Sequence, residues 1–391
     1  LFVGIGLISY SLYLWHYPVF VFFRINNFTN NFQNQIFIVL AILIFSILSY
    51  FFVEKFFRSK NTKFFTVIFN VCLIYVSVIL FLIFSIKHNG LPNRFDTLVV
   101  KLEKQIQNVN NFKHYKLFKN TKLDKTIILV GDSIVSPLAP GLLEISKKTN
   151  YNFISLYLPG CPFFDGINKV NNNKKLDEKN IVNKCNINIQ NKRFEIISSL
   201  KNVIVVIGGR YQLFVENITF NNEEGGIENG IQKKVNGLWI EKDKYLIENN
   251  KKKIFEKTMN RTIGKLNELG HNVILIYPIP EVGWNLPRVY INQIRNGKDF
   301  KNDNELISTS LEVFNKRNYS TIKILDSISY PNLYKIYPHK IFCGYIVKER
   351  CAVMNRDNLF YMDSHHTVGN GSKIINDLIM KEIEKIELKS N

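Results

Sequence analysis

The chain has 391 residues, with 51 Lys and Arg against 32 Asp and Glu, giving a formal charge of +19. That length is too great for one small domain and has room for a membrane part plus a full α/β domain. The basic excess raises the question of nucleic acid. However, the lysines are scattered among Asn, Ile and Phe, with no Arg-rich helix and no aromatic–basic alternation, so nucleic acid is set aside as a partner.

The chain begins at Leu1 inside an apolar run, which reads as the C-terminal piece of a longer protein. Residues 1–23, 36–53 and 64–86 contain no Lys, Arg, Asp or Glu. Each is close to the ~20 apolar residues a helix needs to cross a hydrocarbon core, so three membrane spans are expected over residues 1–86. A single cleavable signal peptide does not account for three consecutive stretches. The first link, "RINNFTNNFQNQ", has one basic residue, whereas "EKFFRSKNTK" carries Lys55, Arg58, Lys60 and Lys63. The positive-inside bias makes the second link cytoplasmic, so the chain after Lys87 lies outside the cytoplasm. His16, between Trp15 and Tyr17, reads as a residue at the bilayer interface; the alternative is a functional intramembrane group.

Residues 87–123 read as a polar linker with some helical content. From 124 to 391, short β-branched runs alternate with amphipathic segments. "TIILV" (126–130), "FISLYL" (153–158), "VIVVI" (203–207), "VILIY" (273–277) and "IKIL" (322–325) read as buried strands. Ile254, Phe255, Met259, Ile263 and Leu266 recur at helical spacing, as do Ile374, Ile375, Leu378, Ile379, Ile383 and Ile386. Alternation of this kind implies a parallel sheet covered on both faces, a three-layer α/β/α sandwich. Ligands of such sheets sit at the C-terminal strand ends, where Gly131, Asp132 and Ser133 fall.

Cys72 lies within the third apolar stretch, while Cys161, Cys185, Cys343 and Cys351 form an even set beyond it. In an oxidising compartment they are candidates for two disulfides, and sequence order suggests Cys161–Cys185 and Cys343–Cys351. Four cysteines allow three pairings. A zinc site is the alternative, but no CxxC spacing supports one, and no metal ligand set is assigned.

Ser133, in "ILVGDSIVSPLAPG", reads either as a helix cap or as a nucleophile. A nucleophilic serine needs a base, and that base needs an orienting carboxylate. His114 falls in the linker, His271 precedes a strand and His339 sits in "YPHK". In "YMDSHHTVGNGSK", Asp363 precedes His366 by three residues, so a short loop can place the carboxylate on one ring nitrogen while the other faces Ser133.

These motifs resemble those of the SGNH (GDSL-like) hydrolase superfamily. Over nearly its whole length the chain resembles the C-terminal part of an acyltransferase-3 family membrane protein fused to an SGNH domain. "LISYSLYLWHYPVF" and "SYFFVEKFFR" are similar to late membrane segments of that acyltransferase family. "LVGDSIVSPLAPGL", "PGCPFF" and "DSHHTVGNG" are similar to the first, second and last SGNH blocks. The resemblance implies Ser133 as nucleophile, His366 as general base and Asp363 as its orienting partner. It places the backbone N–H groups of Ser133 and Gly160 in the oxyanion hole. The third block usually supplies an Asn; here Gly208, Gly209 and Arg210 stand instead, and Arg210 and Tyr211 are expected to contact substrate. Ile134 and Val368 also depart from the common Leu and Ser.

The resemblance implies O-acyl transfer, most simply O-acetylation, onto a cell-surface glycan such as lipopolysaccharide O-antigen or exopolysaccharide. No bound cofactor is expected; acyl-CoA is the ultimate donor, delivered through the membrane module and further N-terminal helices. The implied location is the bacterial inner membrane, with the C-terminal domain in the periplasm or outside the cell. A membrane-anchored esterase using the same triad, or a catalytically silent glycan-binding domain, are the alternatives.

Overall fold

The computed structural model describes residues 2–25, 32–58, 63–88, 90, 92–111, 117–118, 124–170, 184–234, 238–241 and 251–390. Lys60, His114 and residues 26–31 of the first inter-span link lie outside the described residues. The chain divides into two units, Leu1–Phe95 and Asp96–Asn391.

In the first unit, helices Phe2–Ile25 and Phe32–Ser49 pack through Val19, Phe23, Ile38 and Ile42. The second helix runs on through a π-helical turn, Tyr50–Glu54, where Glu54 is buried and accepts a hydrogen bond from the buried Ser11 hydroxyl. The next helix, Phe64–Lys87, has no buried side chain. Two helices, Phe32–Glu54 and Phe64–Lys87, are long and apolar enough to cross a bilayer. The expected three spans are thus corrected to two among the described residues. Phe2–Ile25 has the length, but its middle collects Ser9, Tyr10, Ser11, Tyr13, Trp15, His16, Tyr17 and Pro18, which lower its apolarity.

The second unit is built on a six-stranded sheet. Its order is Leu117–Phe118, Asn152–Ser155, Thr126–Gly131, Val203–Gly208, Asn272–Ile276 and Leu333–Ile336. The last five strands are parallel, and the two-residue edge strand is antiparallel. Side chains alternate between two cores. Ile127, Leu129, Ile204, Val206, Ile274 and Ile276 pack with Leu142, Ile375 and Ile379 on one face. Ile128, Val130, Val205, Ile207, Val273 and Leu275 pack with Phe255, Met259 and Ile263 on the other. Burial on both faces is why these strands read as unbroken apolar runs.

The expected strand at 322–325 is corrected: it lies inside the helix Leu311–Ser327, and the fifth parallel strand is Leu333–Ile336. Phe314, Arg317, Asn318, Thr321 and Leu325 are buried at helical spacing, and the Ser310 hydroxyl caps the helix by accepting from Val313 N at 3.3 Å. Tertiary burial of one helical face overrides the β-branched preference of "IKIL". The segment read as a linker also contributes to this unit. Asp96 caps the helix Thr97–Asn110, accepting from Leu98 N, and that helix buries Leu102 against the first core. The cysteines pair as Cys161–Cys185 and Cys343–Cys351.

Two neighbouring strands end level with each other, Gly131 opposite Gly208. A Cβ on Gly131, whose φ is +153°, would lie 1.9 Å from the Gly208 carbonyl oxygen. Only glycine permits this approach, and it brings the turns after the two strands together.

Candidate active site

At the end of Thr126–Gly131 the chain enters a 3₁₀ turn, Ser133–Leu138. The cap of this turn is Asp132 rather than Ser133. Asp132 Oδ1 accepts from Ile134 N at 2.9 Å and Oδ2 accepts from Arg210 N at 2.9 Å, tying the two neighbouring strand ends together. Burial raises the Asp132 pKa, while these two backbone bonds oppose the shift. With capping done by Asp132, the Ser133 hydroxyl is left for other chemistry.

Ser133 Oγ lies 3.0 Å from His366 Nε2, and His366 Nδ1 lies 2.7 Å from Asp363 Oδ2. The other carboxylate oxygen of Asp363 accepts from the backbone N–H groups of His365 (2.9 Å) and His366 (2.8 Å). Burial pushes the Asp363 pKa up. The His366 hydrogen bond and the charges of both imidazoles outweigh it and hold the carboxyl well below its usual range. An ionised Asp363 fixes the tautomer: the proton sits on Nδ1, and Nε2 accepts from Ser133. The loop itself is held from the strand end after Ile276. Val282 and Gly283 donate to the Ser364 carbonyl at 2.8 and 3.0 Å, and the Tyr361 hydroxyl donates to Pro280 O at 2.8 Å.

Gly160 has φ +66°, a left-handed conformation suited to glycine, and a Cβ there would meet only Lys169 Nζ, at 3.7 Å. Its carbonyl accepts from Lys169 Nζ at 2.9 Å, so a cation stands beside this turn.

The two residues expected to contact substrate point inward. Arg210 is 7% exposed, donating from Nε to Glu281 (2.7 Å) and from Nη1 and Nη2 to Glu228 (2.8 and 2.6 Å). Arg317 holds the second oxygen of Glu281 at 3.1 Å. Burial raises the Glu281 pKa, but the two guanidinium groups bring it down to about 2. Tyr211 is 1% exposed and its ring packs on Phe255. The guanidinium standing where an Asn was expected is therefore an ion-pair anchor beneath the site.

His365 links this anchor to the triad, with its ring 4.1 Å from that of His366 and its Nδ1 3.9 Å from Glu228. Burial and the nearby Arg210 charge push its pKa down to about 4. Asp363, His365 and His366 bring three metal-capable atoms within 4.8 Å of one another. The structure gives these groups hydrogen-bond work, however: His366 bonds Asp363 and Ser133, and His365 Nδ1 meets Ser364 Oγ at 2.9 Å.

Sequence reasoning placed Ser133, His366 and Asp363 together, and so does the structure. It missed His365, Lys169, the Glu228–Arg210–Glu281–Arg317 chain and the fully buried pair Gln190 and Arg193. For that pair a signal existed. On the helix Ile187–Ser198, polar residues occupy positions 190 and 193, two turns and one turn before the apolar Ile197 and on the same face.

Residues 104–381 match the family described as "SGNH domain (fused to AT3 domains)". Among solved structures, the chain is similar to the periplasmic domain of a lipopolysaccharide acetyltransferase from Salmonella ser. Paratyphi A. That match has 16% identity over 66% of this chain and 84% of that one, with a TM-score of 0.41. It is also similar to a GDSL-like lipase from Bacteroides thetaiotaomicron, at 12% identity over 74% of this chain and 99% of that one, with a TM-score of 0.35. No curated protein matches the chain.

Proposed function

This chain belongs to the family of SGNH domains fused to AT3 domains, and from that premise we propose that it is an O-acyltransferase acting on a cell-surface glycan through an acyl-enzyme on Ser133. One observation carries the reading: the unbroken hydrogen-bond chain from Ser133 Oγ through His366 to Asp363. It weighs against a catalytically silent binding domain.

In the first half-reaction Ser133 Oγ attacks the acyl carbonyl while His366 Nε2 takes the hydroxyl proton. Asp363 stabilises the imidazolium through Nδ1–H. The carbonyl oxygen gains negative charge, and the Ser133 and Gly160 backbone N–H groups are assigned to receive it. Collapse breaks the bond to the donor's leaving group, which takes the proton back from His366, and leaves an ester on Ser133. In the second half, His366 removes the proton of a sugar hydroxyl, whose oxygen attacks the ester. Collapse returns the proton to Ser133 and releases the O-acyl sugar.

The donor side rests on the fusion that defines the family: acyl-CoA supplies the group from the cytoplasm, and the AT3 membrane helices carry it across the bilayer. Two helices long and apolar enough to cross a bilayer, together with two disulfides, support a membrane-anchored protein whose SGNH domain works in an oxidising compartment, the periplasm or cell exterior.

An activated acetyl ester replaces the natural donor in the test on the full chain in detergent. Transfer predicts a Ser133-dependent burst followed by slow hydrolysis, with turnover rising several-fold when polysaccharide is added and acetyl appearing on the sugar. Rapid hydrolysis indifferent to polysaccharide would instead make the protein an esterase.

A further inference from the structure

Helix Ile187–Ser198 sends one fully buried cation toward the active-site turns. Arg193 is 0% exposed; its Nη2 donates to Gly131 O at 2.8 Å and its Nη1 to Cys161 O at 3.3 Å. Gly131 lies two residues before Ser133, and Cys161 immediately follows Gly160. One guanidinium therefore bonds the main chain of both segments whose N–H groups are assigned to the oxyanion. It lies over the Phe163 ring, 5.0 Å from the centroid, which fixes its plane.

Two further tethers, one from the same helix and one from the residues just before it, hold the Gly160 segment. Gln190, one turn earlier and also fully buried, donates to Pro162 O at 3.0 Å and accepts from Phe164 N at 3.4 Å. Cys185, just before the helix, is bonded to Cys161.

We infer that Arg193 is a positioning residue that sets the spacing between the Ser133 and Gly160 backbone N–H groups. The inference rests on the acyl-transfer reading of the site. The planar guanidinium fork presents two donors in fixed relation, so a shift of either strand end against the other stretches one bond. A lysine retains the charge but reaches two carbonyls without that fixed geometry. Oxyanion donors act on charge that develops in the transition state, so misplacing them lowers kcat and leaves ground-state binding alone. A displacement near 1 Å is enough for a loss of about 10²-fold.

The test is Arg193→Lys in the full chain, assayed with an activated acetyl ester and with a boronic acid that forms a tetrahedral adduct on Ser133. Expected are a kcat lower by roughly 10–100-fold, a KM close to wild type, and boronate affinity lower by the same factor as kcat. The midpoint of the pH profile stays in place. Gln190→Leu, which loses the bonds to Pro162 and Phe164 and the Oε1 acceptor of Arg193 Nη1 (3.3 Å) but keeps the guanidinium's bonds to Gly131 O and Cys161 O, shows the same pattern in smaller measure. Wild-type kcat in a folded Arg193→Lys protein overturns the inference, as does a loss confined to KM. So does an Arg193→Lys protein that fails to fold beside a Gln190→Leu protein of wild-type kcat, because the role is then structural. Ester turnover that survives Ser133→Ala overturns the acyl-enzyme reading instead, whatever the arginine variant does.

Discussion

At the residue scale, Asp363 combines three bonds in one carboxylate: two to backbone N–H groups and one to His366 Nδ1. Asp363→Asn retains one carbonyl acceptor but can turn an NH₂ toward Nδ1, which favours the wrong imidazole tautomer. The expected result is a loss of roughly 10³–10⁴ in kcat with little change in KM, read with an activated ester. Unchanged kcat would remove Asp363 from the triad. Arg210 gives a different signature. Arg210→Met leaves Glu228 and Glu281 buried without their main cation, and urea unfolding is expected to show a loss of about 3–5 kcal/mol. The Asp363–His366 pair was legible in the sequence because three residues and one loop contain it. Arg210 was not, because its carboxylates lie 18 and 71 residues away, and no local pattern predicts that they converge.

Elements were legible where a single force decides them. Four of the five expected parallel strands form, because apolar runs between turn signals are buried on both sheet faces. "IKIL" failed because four residues cannot distinguish a buried strand from the apolar face of a longer helix. The wider window could: Ser310 at the cap and burial through Leu325 mark the helix Leu311–Ser327. Ser310→Ala is accordingly expected to cost about 1 kcal/mol of stability without affecting ester turnover. A neutral substitution in urea melts would mean that the cap is idle. The helix Thr97–Asn110 was legible only as some helical content within a linker; its docking on the core through Leu102 was not, since a mostly polar helix with one deeply buried leucine resembles a linker in composition.

For the whole molecule, pH is the variable that reaches many elements at once. His365 and His339 are both pushed down by burial to about 4, whereas in the unfolded chain they titrate near their usual value of 6.5. Between those values the unfolded state binds protons that the folded state does not, so stability is full above about pH 6.5 and declines as pH falls toward 4. Glu281, at about 2 against the usual 4.5, adds a loss that begins below pH 4.5 and continues toward 2. Thermal melts should therefore fall across this acid range, and His365→Gln should flatten part of the slope between 6.5 and 4. A melt independent of pH over that interval would contradict the buried neutral state of both histidines. The number of apolar helices was not legible from the charge-free runs. Aromatic and hydroxyl side chains escape a count of charges while still lowering apolarity. The central claim is that Ser133 carries the acyl group, and its most direct test is peptide mass spectrometry after an acid quench of the full chain reacting with an activated acetyl ester. The result predicted is one added acetyl group on the peptide containing Ser133, absent from Ser133→Ala. Acetyl found elsewhere, or none on Ser133 during active turnover, would contradict it.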